Sequence, residues 1–467
     1  MASIYGNSAW TNVGTAPTAN AAVNALVAGY KWGGALGTGV TLTFSFPTTF
    51  TVSSGILTGT GSFGYSGWAN NGGQALSATQ QAAARASLQK WANVANISFV
   101  EIADVPDTSP LLFVDNSSVG DIRFAESNTP GTAEVADFPG ALNGTGAGAP
   151  GDIWFNKTDY NSPVAGNYAY YTVMHEIGHA LGLEHPHDNF DGDTMSLSLD
   201  ALKYSIMSYR DYVGDDTGSV GSSYFPTTPM LYDVLAIQTL YGANWSHNAG
   251  NTTYSWAAGA RVYETIWDGG GNDTISATNQ TQGVILHLTS GVFSTIGASM
   301  SDTNANVRNN LVIAFNAWIE NATGSAYADE LYGNTLGNVL SGGGGDDTMR
   351  GSLWADQAVD GNDTMYGGGG DDYMGGHAGN DWMSGDAGND TVIGDAGHDT
   401  IYGGTGNDLL IGDYTEASGN GNDVLYGEDG NDTLYGGTGN DFLFGGNHAA
   451  VLHGEDGTDY LAGDDGN

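Results

Sequence analysis

Residues 385–411 read GDAGNDTVI, GDAGHDTIY and GGTGNDLLI, three consecutive blocks of nine residues in one register. Glycine occupies the first and fourth positions of each block, aspartate the sixth and a large apolar residue the eighth. The same phase extends over 342–462, with insertions ahead of the block ends at 361–366 and 421–426. A fixed period of this length predicts a solenoid in which each block adds one short strand and one turn.

The repeated positions have different physical roles. Glycine permits the positive φ of a tight turn, and the eighth position, the only reliably apolar one, is expected to point into a narrow core. Carboxylates at this density repel one another unless a cation lies between them, and a ligand set made only of oxygen favours calcium. The candidate calcium ligands are therefore the sixth-position aspartates Asp347, Asp363, Asp372, Asp381, Asp390, Asp399, Asp408, Asp423, Asp432 and Asp441.

Composition separates the repeat half from the rest of the chain. Segment 331–467 contains 25 of the 52 acidic residues, 36 of the 74 glycines and one basic residue, Arg350. Over the 467 residues the charge is 10 − 52 = −42, which opposes binding to nucleic acid or to anionic membrane surfaces. No apolar run is long enough for a membrane span, and the absence of cysteine excludes disulfides.

The part before residue 331 is typical of an α+β domain followed by short strands. Apolar spacing predicts helices over 17–32, 77–95 and 230–241. Runs rich in β-branched and aromatic residues predict strands at 41–46, 97–102, 121–124 and 152–155. We therefore predict a first domain at 1–244, a β-rich connecting part at 245–330 and the repeat solenoid at 331–467.

A second motif lies at 171–185, YTVMHEIGHALGLEH. His175 and His179 are four residues apart, so on a helix both imidazoles can reach one ion. Gly182 can end that helix with a turn of positive φ, which brings His185 back to the same ion and leaves a fourth position open for water. A zinc ion held by neutral nitrogen ligands lowers the pKa of bound water, and Glu176 can take the proton of that water as it attacks a carbonyl.

These motifs resemble a known family. The string H-E-x-x-H-x-x-G-x-x-H is the metzincin motif, and Ser205-Ile-Met-Ser-Tyr209 is similar to the Met-turn of that clan. The nine-residue blocks look like the calcium-binding nonapeptide of RTX proteins. Together with further similar stretches from about residue 40 to 462, they identify the sequence as resembling the serralysin family.

The resemblance implies roles for individual residues. One zinc ion would be held by His175, His179 and His185, with Met207 beneath it and Tyr209 beside it to stabilise the developing oxyanion. Several calcium ions would lie between turns two blocks apart, so that Asp372 pairs with Asp390, Asp381 with Asp399 and Asp390 with Asp408. Asp268 and Asp273 would bind calcium at the domain junction, and 132–138 would be the edge strand that pairs with an extended peptide.

The resulting prediction is a metzincin-type α+β protease domain followed by an all-β parallel β-roll, acting as a secreted, calcium-stabilised zinc endopeptidase. Expected partners are a protein or peptide substrate, calcium ions and a proteinaceous inhibitor, and the protein is expected to be monomeric. The start of the chain has no signal-peptide pattern, so we expect export of a bacterial protein by another route.

Two departures and one alternative remain open at this point. Block 445–453 has Ala450 at the sixth position, and the chain stops inside a block, so we expect the last blocks to fray. The competing class is a non-catalytic, calcium-dependent binding or adhesion module with a vestigial metal site. An RTX lipase has no support, because the sequence contains no Gly-x-Ser-x-Gly elbow.

Overall fold

The computed structural model describes residues 10–13, 18–47, 74–103, 121–127, 135–136, 151–157, 160–188, 193–213, 224–298, 300–302, 305–307, 309–353, 360–414 and 421–463. The chain forms two compact units. The first comprises Met1–His247 and Tyr263–Trp267, and the second comprises Asn248–Val262 and Asp268–Asn467. None of the described helices is long and apolar enough to cross a membrane.

The first unit is built on a five-stranded sheet and a few helices. The strands lie in the order Ile97–Glu101, Val40–Ser45, Ile122–Ser127, Asp152–Asn156 and Val135–Ala136. The first four are parallel, whereas Val135–Ala136 runs antiparallel at the edge. The described helices are Ala21–Asn24, Ala78–Val94, Tyr168–Ala180 and Leu231–Tyr241, and a further short strand is Glu264–Ile266.

Local sequence explains the helix ends that were predicted. Ser77 caps Ala78–Val94 in a capping box with Gln80, and Gly242, with φ of 80°, follows Leu231–Tyr241. These two helices and the four parallel strands are confirmed within a few residues of the predicted bounds. The remaining residues of the expected edge strand at 132–138, apart from Val135–Ala136, lie outside the described residues.

The helix predicted over 17–32 is wrong beyond its first turn. Only Ala21–Asn24 is helical, and Tyr30–Trp32 is a strand that pairs antiparallel with Trp10–Asn12. Gly29 has φ of 80°, a conformation that ends any helix, and the aromatic side chains that follow favour an extended backbone. The apolar spacing over 17–32 therefore comes from buried residues on two different elements, the short helix and the strand.

The second unit contains a parallel β-solenoid of about nine turns over 253–462. Within the described residues one face is a sheet of Thr253–Tyr254, Thr274–Ser276, Asn321–Thr323, Val339–Gly344, Thr364–Gly369, Trp382–Ala387, Thr400–Thr405, Val424–Asp429, Phe442–Phe444 and Tyr460–Ala462. The other face is a sheet of Ile285–His287, Glu330–Tyr332, Thr348–Arg350, Tyr373–Ala378, Thr391–Ala396, Leu409–Ile411, Thr433–Gly439 and Val451–Gly457. Shorter antiparallel pairs are Phe293–Ser294 with Leu311–Ile313 and Met300–Asp302 with Ala305–Val307.

Two nine-residue blocks make one full turn of the roll. Met383 is therefore the register partner of Ile401, 18 residues later, and Val392 is that of Leu410. The predicted core is confirmed, because the eighth-position side chains are fully buried at Met349, Met374, Met383, Val392, Ile401, Leu410, Leu425, Leu434 and Leu443. Each such burial contributes roughly 1.5–3 kcal/mol relative to an exposed side chain.

The two ends of the roll differ from expectation. Strands from 245–330 pair within the same two sheets, so the solenoid begins well before the glycine-rich blocks. The last blocks are paired strands rather than frayed chain, since Tyr460–Ala462 is in register with Phe442–Phe444. Leu461, at an eighth position, is nevertheless 45% exposed.

Candidate metal centres

Helix Tyr168–Ala180 carries the histidine motif in the interior of the first unit. Asn167 caps it by accepting a hydrogen bond from the Tyr170 N–H at 2.9 Å, and every residue after Tyr168 is buried. His175 and His179 lie one turn apart on the same face. Glu176, predicted as the general base, is 4% exposed on the same helix.

The turn after the helix is fixed by a neighbouring segment. Gly182 has φ of 106°, and a Cβ there would stand 2.3 Å from the Tyr30 carbonyl oxygen, so no other residue fits. The Ala28 N–H donates to the Gly182 carbonyl at 3.0 Å, and the Glu184 N–H donates to that of Leu26 at 3.0 Å. This clamp directs His185 back toward the helix.

The three histidines meet through their Nε2 atoms. His185 Nε2 lies 3.3 Å from His175 Nε2 and 3.0 Å from His179 Nε2. On the far side of each ring Nδ1 donates a hydrogen bond. His175 Nδ1 donates to the Ile206 carbonyl at 2.7 Å, His179 Nδ1 to the Leu183 carbonyl at 2.7 Å and His185 Nδ1 to Asp188 Oδ2 at 2.8 Å. Because these acceptors fix the proton on Nδ1, each Nε2 presents a lone pair to the other two.

Electrostatics favours the neutral rings that a metal requires. Burial, with a further contribution from the neighbouring histidines, lowers the pKa of His175 and of His179 to about 3 and that of His185 to about 2. Three converging lone pairs repel one another unless a cation lies between them. A tetrahedral zinc ion with an open fourth position suits three such nitrogen donors.

Met207 of the Met-turn packs against the helix that carries His175 and His179. Its side chain is fully buried, and a Cβ on Gly178 of the motif helix would stand 2.7 Å from Met207 Sδ. Position 178 therefore has to be glycine if the methionine is to pack so close to the helix.

Asp233 holds the Met-turn in place, a role that no local sequence pattern indicates. The carboxylate accepts hydrogen bonds from Ser205 Oγ at 2.6 Å and from the Ile206 N–H at 2.7 Å. Burial raises the pKa of Asp233 to about 7, although these hydrogen bonds oppose the shift. Since Ile206 is also the partner of His175, Asp233 orients one of the three histidines indirectly.

Tyr209 lies beside the cluster and remains 38% exposed. Its ring centroid is 4.4 Å from that of His185 and 5.7 Å from that of His175, with which it is stacked. His187 packs here as well, 5.3 Å from the His185 ring and 5.1 Å from the Tyr209 ring. Tyr209 therefore stands in an aromatic group at the open side of the site.

The sixth-position aspartates form two ladders along the roll. In one, the backbone N–H of Asp347, Asp372, Asp390 and Asp408 donates to Oδ1 of the next member, ending at Asp432, over 2.8–3.0 Å. In the other, Asp363, Asp381, Asp399, Asp423 and Asp441 do the same, ending at Asp459, over 2.7–3.1 Å. The pairs named from the resemblance are neighbours in these ladders.

The second carboxylate oxygen explains why a cation is needed. Oδ2 of each ladder aspartate from Asp347 to Asp441 is buried with no hydrogen-bond partner among the described residues. Burial raises the pKa of Asp363, Asp381, Asp399 and Asp423 to about 8, with a further contribution from neighbouring carboxylates. A row of unsatisfied carboxylate oxygens fits calcium, which coordinates several oxygen ligands.

Asp268 and Asp273, assigned by resemblance, occupy the start of the roll. Asp268 accepts from Tyr254 Oη at 2.6 Å and from the Gly270 N–H at 2.7 Å. Asp273 Oδ1 accepts from the Thr252 N–H at 2.6 Å, whereas its Oδ2 is buried without a hydrogen-bond partner in the described part of the chain. The Asp273 N–H donates to Glu320 Oε2 at 2.8 Å, so Glu320 is a further acidic group there.

Sequence reasoning missed the ends of the ladders. Asp459 sits at the sixth position of the block 454–462, a signal that was available, and it accepts from the Asp441 N–H. Asp329 precedes Asp347, to which its N–H donates, but protein N–H groups occupy both of its oxygens, at Val284 and Ser325. Ala450 contributes no carboxylate, and its Cβ faces Gly445.

Three family models match the chain. The matrixin model matches 68–207, the model of the serralysin C-terminal region of peptidase family M10 matches 232–376, and the RTX calcium-binding nonapeptide repeat matches 375–410, 418–447 and 451–467. A matrixin domain implies zinc, and RTX repeats imply calcium. Both cofactor predictions agree with these matches.

Curated relatives are similar over more than half of the chain. Metallopeptidase AprA of Pseudomonas marginalis is 33% identical over 289 residues, 57% of this chain and 56% of its own length. Serralysin of Photorhabdus laumondii is 33% identical over 57% of this chain and 55% of its own length, and serralysin of Proteus mirabilis is 33% identical over 56% and 55%. The chain spans about half the length of the curated relatives it matches. The predicted resemblance of this chain to the serralysin family is thereby confirmed.

Proposed function

We propose that the protein is a zinc-dependent, calcium-stabilised endopeptidase that hydrolyses peptide bonds in protein substrates. The observation that carries the proposal is that His175 Nε2 and His179 Nε2 lie 3.3 and 3.0 Å from His185 Nε2, with each ring oriented by a hydrogen bond on its opposite nitrogen. His175, His179 and His185 are the proposed zinc ligands.

The neighbouring side chains divide the chemistry among them. A zinc ion bound here supplies Lewis-acid activation of water and of the scissile carbonyl. Glu176, one residue after the first histidine, acts as general base by taking a proton from the attacking water and passing it to the leaving amine. The Tyr209 hydroxyl, on the open side of the cluster, donates a hydrogen bond to the oxyanion as charge develops. Met207 supports the histidines from below.

We infer that the acidic roll binds calcium through the ladder aspartates and through Asp268 and Asp273. Extracellular calcium modules bind at roughly 0.1–1 mM, so the roll would fold outside the cell and not in a low-calcium cytoplasm. The RTX repeats and the serralysin relatives are consistent with secretion. Secretion is therefore the proposed localisation.

The substrate is proposed to be an extended polypeptide segment. Val135–Ala136 runs antiparallel at the sheet edge, and an edge strand pairs with extended chain through main-chain hydrogen bonds. The same edge would accept the chain of a proteinaceous inhibitor. A monomer keeps this edge accessible, and we propose that state as the active one.

The test is hydrolysis of casein by the full chain in millimolar calcium with one equivalent of zinc, compared with Glu176→Ala. We expect the variant to retain one zinc ion and to lose about 10²–10⁴-fold in rate, the usual contribution of a general base. Cleavage that is equally fast in the variant would reject Glu176 as the base. Absence of cleavage in both proteins, with zinc bound and the roll folded, would favour the non-catalytic binding module.

A further inference from the structure

Asp395 and Asp413 occupy the second position of successive turns on one side of the roll, where the nonapeptide pattern calls for glycine. The Asp395 N–H donates to the Gly412 carbonyl at 2.8 Å, and the Asp413 N–H donates to that of Gly436 at 3.2 Å. The RTX repeat matches stop at 410 and resume at 418, so Asp413 lies where the repeat is interrupted. Neither residue belongs to the two ladders.

Asp413 is buried with one carboxylate oxygen uncommitted. Its side chain is 5% exposed. Oδ2 accepts from Thr438 Oγ1 at 2.9 Å, from the Thr438 N–H at 3.2 Å and from the Gly421 N–H at 3.3 Å. Oδ1 is buried and has no hydrogen-bond partner among the residues that the structure describes. Because Oδ2 is engaged with the following turn, Oδ1 is left for the preceding one, which carries Asp395.

Asp395 brings a second carboxylate to this place. The register that pairs Ile393 with Ile411 places Asp395 opposite Asp413 when it is continued by two residues. Adjacent strands of a parallel sheet lie about 4.8 Å apart, so these two side chains of equal length face each other. Burial and then the Asp413 carboxylate raise the pKa of Asp395, while Arg350 opposes the shift. The Asp413 carboxylate also raises the pKa of Asp399 and Asp423. The single guanidinium of Arg350 therefore does not offset the negative charge of these carboxylates.

We propose that Asp395 and Asp413 bind a calcium ion of their own, additional to the ions of the sixth-position ladders. The unsatisfied Oδ1 supplies a hard oxygen ligand, and the Asp395 carboxylate supplies a second. His377 is the register partner of Asp395 on the turn before, and its Nδ1 is hydrogen-bonded to Ser352 Oγ at 3.1 Å. The proposed ligands of the ion are therefore carboxylate oxygens. The ion would tie the turn of Asp413 to the preceding turn of Asp395, while Asp413 Oδ2 keeps its hydrogen bonds to Gly421 and Thr438.

The test counts calcium ions per chain by atomic emission after dialysis against graded free calcium, together with calorimetric titration. The variants are Asp413→Asn and Asp395→Asn. Asp386→Asn is the matched control, because Asp386 is also at a second position with φ of 70°, but its Oδ1 accepts from Ser384 Oγ at 2.6 Å and its register partners are Gly368 and Gly404.

We expect each of the two variants to bind one ion fewer than the unmodified protein and the control to bind the full number, all with the same far-ultraviolet spectrum at saturating calcium. An unchanged number of calcium ions in Asp413→Asn and Asp395→Asn would overturn the proposal. Asp413 would then serve only to stabilise the turn through its hydrogen bonds. An equal loss in Asp386→Asn would also overturn it. If Asp413→Asn fails to fold, Asp395→Asn, which keeps the Thr438 contacts, decides the question.

Discussion

In the proposed zinc site each histidine is oriented by a different part of the first unit: the Met-turn, the motif helix end and the loop that carries Asp188. In the roll each aspartate is held by the backbone N–H of the turn before it, and one of its oxygens is left unsatisfied. The protein therefore preforms the nitrogen site with its own hydrogen bonds, whereas the carboxylate ladders need the ion to complete their bonding. We infer that the first site can lose its metal and keep its fold, and that the second cannot.

The largest expected effect is that of removing a histidine. His179→Ala deletes one of three converging donors, so zinc affinity and proteolysis should fall by more than the 10- to 100-fold typical of outer-shell changes. Zinc content and casein cleavage are the measurements. His287→Ala is the control, since His287 belongs to the second unit, where its ring stacks on Tyr332. An equal zinc loss in both variants would contradict the assignment.

Asp188→Asn should have an intermediate effect. The carboxylate accepts the His185 Nδ1 proton at 2.8 Å, and removal of its charge lowers the basicity of Nε2. We expect zinc affinity to fall about 10- to 100-fold, measured by competition with a chelator, while the melting temperature stays near that of the unmodified protein. Glu101→Gln, on a surface ion pair with Arg85, should leave zinc affinity unchanged.

The pH should affect both the stability of the calcium-free roll and its calcium affinity, through the ladder aspartates. In the absence of calcium their pKa values are raised, to about 8 at Asp381 and Asp399, so the folded roll binds more protons than the unfolded chain. Stability of the calcium-free roll therefore falls as pH rises through about 8, and acid partly substitutes for the ion. Since calcium must displace these protons, we expect its midpoint to rise about tenfold from pH 8 to pH 6. A midpoint independent of pH in calorimetric titration would disprove this.

A comparison within one ladder gives the smallest effect. Asp390 has an unsatisfied Oδ2, whereas both oxygens of Asp329 are bonded to protein N–H groups. Asp390→Asn should raise the calcium midpoint a few-fold, on the order of 1 kcal/mol of binding. Asp329→Asn should lower the melting temperature of the roll in saturating calcium and leave the calcium midpoint unchanged. If the calcium midpoint shifted equally in both variants, Asp390, with its unsatisfied oxygen, and Asp329, with both oxygens bonded, would not differ in calcium binding.

Much of this organisation follows from local pattern. The period of nine places every eighth-position side chain in the core, and the spacing His175, His179, His185 places three imidazoles around one point once Gly182 turns the chain. Both inferences need only the geometry of a strand, a helix or a turn. That is why the roll and the histidine cluster could be predicted.

Contacts between distant segments could not be predicted. Asp233 orients the Met-turn from 27 residues away. The strands Thr253–Tyr254 and Asn321–Thr323 join the solenoid without its glycine and aspartate register, so no period reveals them. Each of these features depends on which segments pack together in three dimensions.

The most direct measurement removes each metal separately and records the far-ultraviolet spectrum and casein cleavage together. After zinc is withdrawn in millimolar calcium, we predict an unchanged spectrum and no cleavage, with recovery on adding one equivalent of zinc. After calcium is withdrawn with zinc present, we predict loss of the β signal of the roll. A spectrum unchanged by calcium removal would contradict the calcium dependence of the roll, and one that collapses on zinc removal would contradict a preformed zinc site.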